Sequence, residues 1–143
     1  MGCVFCESSI IKEREIIRND FAWAFPTNIP IVPGHILVCP IRCIKTIDEL
    51  RDEELHAIFE LVGKLKRALT KVFMAEGFNF AWNEGKIAGQ SVPHLHLHVL
   101  PRKEGDTGIT KYEPRKFIYR PGSREESPEH ELKNVAEVIK DQL

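Results

Sequence analysis

The chain has 143 residues, of which 43% are hydrophobic and 29% charged, and its net charge is −1. These values are typical of one globular domain with its own core, and the near-zero charge gives no field that favours nucleic acid or a membrane as partner. No apolar run reaches the length of a membrane span, and the N-terminal sequence MGCVFCESS lacks the features of a secretory signal. We therefore predict a single cytoplasmic domain over residues 1–143.

Three short segments in the first third of the chain favour strands. Residues 10–17 mix apolar and charged side chains and predict an edge strand, and residues 21–25 alternate bulky and small side chains up to Pro26. After a proline-rich loop, residues 35–39 predict another strand that ends at Pro40.

The hydrophobic period then changes to three and four residues, which predicts a long amphipathic helix. Its apolar positions are Leu55, Ile58, Phe59, Val62, Leu65, Leu69, Val72 and Phe73. Thr46 and Glu49 have the spacing of a capping box before this helix, and Gly77 is a suitable C-terminal stop.

Two strands follow, over residues 78–82 and 94–100, and a short amphipathic helix is predicted over residues 128–143. Because strands and helices do not alternate strictly, an α+β fold with an antiparallel sheet is favoured over a doubly wound one. We divide the domain into a core, residues 1–106, and a C-terminal tail and helix, residues 107–143. The basic stretch between residues 102 and 124 is interpreted as solvated surface, so nucleic acid is not an expected partner.

Three histidines at every second position carry the chemistry. On a strand, His94, His96 and His98 share one face and the apolar residues between them face the core. Such a row suits either a catalytic metal or an imidazole that attacks an electrophile while its neighbours tune and protonate.

The loop before the histidines favours the second chemistry. Residues 83–92 supply glycines, an amide, a hydroxyl and exposed backbone N–H groups. Such groups suit phosphate oxygens better than a metal ion. The sequence therefore favours histidines that act on a phosphate group over histidines that bind a catalytic metal.

These motifs resemble those of the histidine triad (HIT) family over residues 3–106. The first block is Asn83-x-Gly85-x-x-Ala88-Gly89-Gln90-Ser91-Val92-x-His94-x-His96-x-His98-x-x-Pro101-Arg102, and the second is Pro33-Gly34-His35-x-Leu37-Val38-x-Pro40. Residues 30–40 and 100–106 look most like the fragile-histidine-triad branch of dinucleoside polyphosphate hydrolases. The resemblance implies the HIT fold and a homodimer whose sheets join across the interface.

The resemblance also implies a mechanism. His96 attacks the α-phosphorus of a nucleotide and forms a nucleotidyl-histidine, which water or another acceptor then resolves to a nucleoside monophosphate. His98 protonates the leaving oxygen or donates to the phosphate, with His35 in support. Since phosphoryl transition states are loose, positioning and charge stabilisation carry most of the catalysis.

The same comparison assigns the nucleotide contacts. Phosphate binding falls to Asn83, Gly89, Gln90 and Ser91. Phe25 matches the base-packing position, with an ordinary core aromatic as the alternative. Thr27 stands where the family usually has Asp or Asn for the ribose hydroxyls, and the adjacent Asn28 is a substitute. Asn83 replaces a more usual Gln, which leaves nucleoside phosphoramidates open beside dinucleoside polyphosphates as substrates.

The cysteines cluster near the N-terminus, which in a cytosolic protein favours a metal over disulfides. Cys3-x-x-Cys6 is half of a zinc site, and free thiols are the alternative. The resemblance implies two further ligands, the first histidine of the triad, His94, and a position shortly after Pro40 that is Cys43 here. We therefore predict a structural zinc with four ligands. Cys39 is interpreted as a small buried hydrophobe.

Three other functions stay open at this point. Phosphate replaces water as acceptor in a dinucleoside polyphosphate phosphorylase, and a nucleotide-binding sensor has little catalysis. A metallohydrolase is the third, with all three histidines on a catalytic metal.

Overall fold

A computed structural model gives the structure of residues 2–106 and 126–143. In chain order the elements are α1 (Val4–Glu7), α2 (Ser9–Glu13), β1 (Ile17–Arg18), β2 (Ala22–Pro26), β3 (Ile36–Pro40), a 3-10 turn (Ile47–Glu49), α3 (Asp52–Phe73), β4 (Gly77–Trp82), a second 3-10 turn (Lys86–Ala88), β5 (Leu97–Arg102) and α4 (Glu129–Lys140). The five strands form one sheet in the order β1-β2-β3-β5-β4, and every neighbouring pair is antiparallel. The predicted α+β class is confirmed. Within the described residues, no helix is long and apolar enough to cross a membrane.

One face of the sheet packs against α3 and α4. Ile36 and Val38 of β3 are paired with Val99 and Leu97 of β5, and all four side chains are buried in the main core. Their alternation along the strands places them on one side of the pleat. The apolar stripe of α3 covers this side, and Ile139 of α4 lies in the same core. This core fixes the position of β5, the strand that carries His98.

The opposite face has a smaller apolar cluster beside the histidines. Leu37 is paired with both Phe25 and His98, so these three residues form a row across the central strands. Phe5 and Ile11, from the N-terminal helices, pack on the Phe25 side of this face. The histidine face is thus covered by a short N-terminal segment instead of a long helix.

The predicted edge strand over residues 10–17 is wrong for most of its length. The chain is helical over Ser9–Glu13, and β1 begins only at Ile17. The hydroxyl of Ser8 accepts a hydrogen bond of 3.2 Å from Ile11 N, which caps this short helix. The cap and the burial of Ile11 outweigh the strand propensity of the isoleucines.

The boundaries of the long helix also differ from the prediction. The Thr46–Glu49 box caps the 3-10 turn, while Glu54 accepts from the backbone N–H of Arg51 at 2.9 Å and closes the N-terminus of α3 itself. The helix ends at Phe73, and the next residue, Met74, adopts a left-handed conformation with φ of 57°. Gly77 is the first residue of β4 instead of the helix stop.

The histidine strand begins later than predicted. β5 starts at Leu97, and the segment before it is bound to the loop after β3, where Leu95 N donates to the Ile44 carbonyl at 2.6 Å. Of the three histidines only His98 therefore lies on the regular strand. All three are nevertheless buried.

A glycine turn places the fourth histidine. Gly34 has a φ of +87°, and a Cβ at this position would come within 2.9 Å of Phe73 and Pro101. Only glycine meets both constraints without strain. The turn brings His35 to the start of β3, opposite β5.

Candidate active site and metal cluster

His35 and His98 form a hydrogen-bonded pair that fixes the position of their protons. His35 Nε2 and His98 Nδ1 are 2.9 Å apart. The backbone N–H of Ile31 donates to His35 Nδ1 at 3.0 Å, so Nδ1 bears no proton and Nε2 is the donor to His98. In the neutral pair, the proton of His98 therefore lies on its Nε2.

His96 has the opposite tautomer. Its Nδ1 lies 2.7 Å from the His94 carbonyl oxygen, which can only accept, so Nδ1 carries the proton and Nε2 the lone pair. Burial lowers the pKa of His96 below its ordinary value of 6.5, and the ring is therefore neutral at neutral pH. The centres of the His96 and His98 rings are 5.0 Å apart. A nucleophilic nitrogen and a proton donor are thus carried by neighbouring rings.

Both rings line a cleft of about 260 Å³ on the histidine face. Four of the predicted nucleotide contacts also line it, namely Phe25, Thr27, Asn28 and Ser91. Its apolar wall includes Phe5, Ile11 and Leu37. A mostly apolar cleft with a few polar groups at its rim is typical of a site for a small organic ligand.

The other predicted phosphate contacts, Asn83, Gly89 and Gln90, do not line the cleft. The amide oxygen of Gln90 accepts from Gly85 N at 2.8 Å and its nitrogen donates to the Lys45 carbonyl at 3.0 Å. Gly89 precedes it with a φ of +100°, a conformation that favours glycine. Asn83 and Gln90 are both buried, and neither lines the cleft. In this structure the side chain of Gln90 holds two parts of the loop together, and Ser91 and Val92 are the loop residues that line the cleft with His96 and His98.

The four predicted zinc ligands come together. The ligand atoms of Cys3, Cys6, Cys43 and His94 all lie within 4.8 Å of one another, and this is the one such group of potential metal ligands among residues 2–106 and 126–143. His94 Nδ1 is 3.1 Å from Cys3 Sγ and 3.6 Å from Cys6 Sγ. His94 Nε2 donates to the Pro40 carbonyl at 2.7 Å, which leaves the lone pair on Nδ1 facing the sulfurs.

Two thiols of this cluster, those of Cys6 and Cys43, resist ionisation in the absence of a cation. Burial, and then the neighbouring Cys3 thiol, raise the pKa of Cys6 to about 12. The same two causes raise the pKa of Cys43. Cys39 stands apart from the cluster and is buried in the small apolar cluster, as predicted.

The cluster and the cleft share a wall. Phe5 lies between Cys3 and Cys6 in the sequence, and its ring is 5.2 Å from the ring of His96 and 5.1 Å from that of Phe25. The backbone carbonyl of His94 holds His96 Nδ1. Because Phe5 and His96 both line the cleft, an interaction that holds the cysteines and His94 together also positions these two cleft residues.

The cleft residues that were not predicted from the sequence include Phe5, Arg14 and Glu129. For Phe5 a signal existed, because a residue between two cysteines of a predicted metal site must lie near the other predicted ligands. No sequence signal identified Arg14 or Glu129, since they are 115 residues apart in the sequence. The two residues form an ion pair of 2.7 Å on the cleft wall.

Fold and site together define an α+β protein whose single antiparallel sheet carries buried histidines beneath a ligand cleft. The family model for the HIT domain matches residues 9–105, and the chain belongs to the HIT family. The family predicted from the sequence motifs is therefore confirmed.

Several relatives of this chain have names that refer to dinucleoside polyphosphates. It is 40% identical over 96 residues to the bis(5'-nucleosyl)-tetraphosphatase (asymmetrical) of Schizosaccharomyces pombe, an alignment that covers 67% of this chain and 53% of that protein. It is 32% identical over 120 residues to the bis(5'-adenosyl)-triphosphatase of Dictyostelium discoideum, with coverages of 83% and 77%. The chain thus spans about half of the first of these proteins and three quarters of the second.

A solved structure of the family also matches this chain. The crystal structure of a Zn-bound histidine triad family protein from Mycobacterium smegmatis has a TM-score of 0.73 and 25% sequence identity, and the match covers 99% of this chain and 93% of that one. The two chains thus share the fold.

Proposed function

We propose that this protein is a nucleotide hydrolase or transferase that cleaves at the α-phosphate of a dinucleoside polyphosphate or a nucleoside phosphoramidate. The observation that carries the proposal is the opposite tautomers of two neighbouring histidines. His96 has its lone pair on Nε2, and His98 has its proton there. One ring can attack phosphorus while the other donates a hydrogen bond to the leaving group.

In the first step, His96 Nε2 forms a bond to the α-phosphorus and the bond from phosphorus to the leaving atom breaks. The leaving oxygen or nitrogen accepts a hydrogen bond from His98 Nε2 and takes any proton that it needs from solvent. The ring of His96 becomes positively charged, and the His94 carbonyl, which accepts from Nδ1, stabilises that charge. In the second step, water replaces His96 on phosphorus, loses a proton to solvent and releases a nucleoside monophosphate, which leaves His96 neutral.

The cleft supports a nucleotide as the substrate. Phe25 and Phe5 offer apolar surface for a base, and Ser91 offers a hydroxyl beside the histidines for a phosphate oxygen. We assign to Asn83, Gly89 and Gln90 the task of holding the loop that presents Ser91 and its neighbouring N–H groups. His35 orients His98 through their hydrogen bond.

Product analysis tests this function. Wild-type protein, His96→Ala and the matched control His56→Ala, an exposed histidine on α3, are incubated with diadenosine polyphosphates and with an adenosine phosphoramidate. We expect AMP from wild type and His56→Ala, and a loss of at least ~1,000-fold in His96→Ala. The preferred substrate identifies the branch, and added phosphate that yields ADP in place of AMP identifies a phosphorylase. Full activity of His96→Ala would contradict the nucleotidyl-histidine mechanism.

A structural zinc bound by Cys3, Cys6, Cys43 and His94 is part of the proposal. With zinc-to-sulfur bonds of about 2.3 Å and zinc-to-nitrogen bonds of about 2.0 Å, tetrahedral ligands lie roughly 3.5 to 3.8 Å apart. The sulfur-to-nitrogen distances of 3.1 and 3.6 Å are close to this spacing, so the residues fit the ion. A bound zinc would supply the positive charge that ionises the thiols.

Metal analysis separates this zinc from a catalytic one. We expect one zinc per chain in protein purified without chelator, and the same content in the double variant His96→Ala/His98→Ala. Loss of zinc in that variant would favour a metallohydrolase, whereas its loss in Cys6→Ser supports the proposed ligands. No zinc in the wild type would contradict the proposal.

We also propose a homodimer. β4 lies at an edge of the sheet, where a second copy is able to add its own strand. Phe80 on this strand has 43% of its surface exposed. Light scattering on the purified protein tests the proposal, and we expect twice the mass of the chain.

A further inference from the structure

The cleft contains a charged pair that the proposed reaction does not use. Arg14 is 4% exposed, and its Nε donates to the Pro26 carbonyl at 2.9 Å. Its Nη1 donates to both carboxylate oxygens of Glu129, at 3.0 and 2.7 Å. Glu129 is the first residue of α4, its side chain is 40% exposed, and it lines the same cleft as His96.

Stability is a poor explanation for this pair. Bringing a guanidinium out of water costs about as much as the pairing returns, so apolar residues often hold such positions equally well. α4 is already anchored by Leu132, Ala136 and Ile139, which are buried. A second ion pair, Lys133 with Glu13 at 2.9 Å, joins the same two segments at the surface.

The sheet places the pair at a distance from the reacting histidines. Phe25 and His98 are in one row with Leu37 between them, which separates their backbones by two strand spacings, about 10 Å. The Arg14 guanidinium lies 5.9 Å from the centre of the Phe25 ring. Glu129 is therefore on the side of the cleft where the nucleoside extends when its phosphate is at the histidines.

A carboxylate on this side is suited to hydroxyl donors. It repels phosphate, whereas each of its oxygens has two lone pairs, of which the contact with Arg14 takes one. Thr27, where the family usually has an acid or amide for the ribose, has a hydroxyl and no carboxylate. Ser127 N donates to the Asn28 carbonyl at 2.6 Å, so the start of α4 is bound next to that position.

We propose that Glu129, held in place by Arg14, accepts hydrogen bonds from the ribose hydroxyls of the bound nucleotide and selects ribonucleotides over deoxyribonucleotides. Where the family usually has an acid or amide just after β2, this chain would use a carboxylate from the C-terminal helix α4. This inference rests on the proposed function, because it takes a nucleotide as the ligand.

Calorimetric titration with AMP, 2'-deoxy-AMP and 3'-deoxy-AMP tests the assignment. We expect the wild type to bind AMP about 10- to 100-fold more tightly than at least one deoxy analogue, the size of a hydrogen bond to a charged group. In Glu129→Gln, AMP binding weakens and the preference falls towards one. The control Glu13→Gln breaks the other ion pair between the same segments and keeps the wild-type preference.

Two results would overturn the assignment while the proposed function stands. One is a wild type that binds AMP and both deoxy analogues equally, a measurement that needs no variant to fold. The other is a Glu129→Gln protein, shown by its melting curve to be folded, that keeps the full preference or changes its preference among bases instead. Should Glu129→Gln fail to fold, Glu129→Asp keeps the charge with a shorter reach, and an unchanged preference there overturns the assignment as well. A wild type that binds no nucleotide overturns both proposals.

Discussion

The two faces of the sheet use alternate residues of the same strands, but they are held in different ways. On one face, Val38, Leu97 and Val99 are buried beneath the 22-residue helix α3. On the other, Leu37 and His98 lie beneath two helical turns at the N-terminus, of four and five residues. Helices this short have little stability of their own, so the segment depends on its side-chain contacts and on the cysteine cluster.

This difference separates stability from chemistry at the level of single residues. Neighbouring positions on β5 belong to opposite faces, so one substitution can affect folding while the next affects the reaction. The covering of the histidine face depends on the cysteine cluster and on ion pairs, which would respond to a bound metal and to pH. The apolar face has no such dependence.

The largest effects are expected from a pair of neighbours, Leu97→Ala and His96→Ala. Leu97 is 1% exposed in the main core, and its truncation is expected to lower the free energy of unfolding by about 2 to 5 kcal/mol. His96→Ala is expected to abolish AMP release with a smaller loss of stability. Urea unfolding and AMP release, measured on both variants, check the separation.

Each variant is the control for the other. Leu97→Ala, measured at a temperature where it is folded, should keep most of its activity per folded molecule. Equal losses of activity in the two variants would show that the two faces are not separable.

The apolar face was predictable from sequence because its signal is local. The recurrence of apolar residues every three and four positions predicted α3, and the alternation around Leu97 predicted β5. The errors occur where the pattern is too short to decide. Residues 10–17 have isoleucines that suit a strand, and a single cap at Ser8 made part of the segment helical. Met74 ended α3 in a left-handed conformation that a sequence assigns to glycine.

The histidine face was predictable only in part. The period-two spacing singled out His96 and His98, and the cysteine pair supplied Cys3 and Cys6, whereas Cys43 and His94 were added as ligands only by the resemblance to the HIT family. The cleft wall was not predictable, because Arg14 and Glu129 meet only after the whole sheet and α4 have packed. Gln90 has the residue type of a phosphate ligand, but its bonds to Gly85 and Lys45 depend on loop geometry that the motif does not encode.

Removal of the proposed zinc is expected to have the next largest effect. We expect a chelator to lower the free energy of unfolding by about 3 to 4 kcal/mol relative to protein with zinc at 100 to 1,000 times its dissociation constant. AMP binding should weaken as well, because Phe5 lies between two ligands and contacts His96. Melting curves and calorimetric titration of AMP with and without chelator measure both effects.

A matched cysteine variant controls this experiment. Cys39→Ala alters a buried cysteine outside the cluster and should keep its zinc, while Cys43→Ser should lose affinity for it. Nucleotide binding that is the same with and without zinc would show that the cluster does not hold the cleft wall.

A smaller effect is expected from the positioning of His98. His35→Phe removes the N–H that fixes the His98 tautomer, and we expect kcat to fall about 10- to 100-fold, comparable to the loss of a hydrogen bond that orients a metal-bound histidine. His35→Gln can still donate a hydrogen bond and should keep more activity. Steady-state kinetics on a diadenosine polyphosphate check this, and equal kcat values for the two variants would contradict a positioning role.

The smallest expected effect is the dependence on pH, which belongs to the histidine face alone. Burial lowers the pKa of His96 below 6.5, so attack by His96 should be lost in acid with a midpoint below that value. Because His96 binds fewer protons when the chain is folded than when it is unfolded, its contribution to the free energy of unfolding should rise with pH up to about 6.5 and then level off. A diadenosine polyphosphate is a suitable substrate, since its internal phosphates do not titrate near neutral pH. An acid limb of kcat/KM with a midpoint at or above 6.5 would contradict a buried neutral nucleophile.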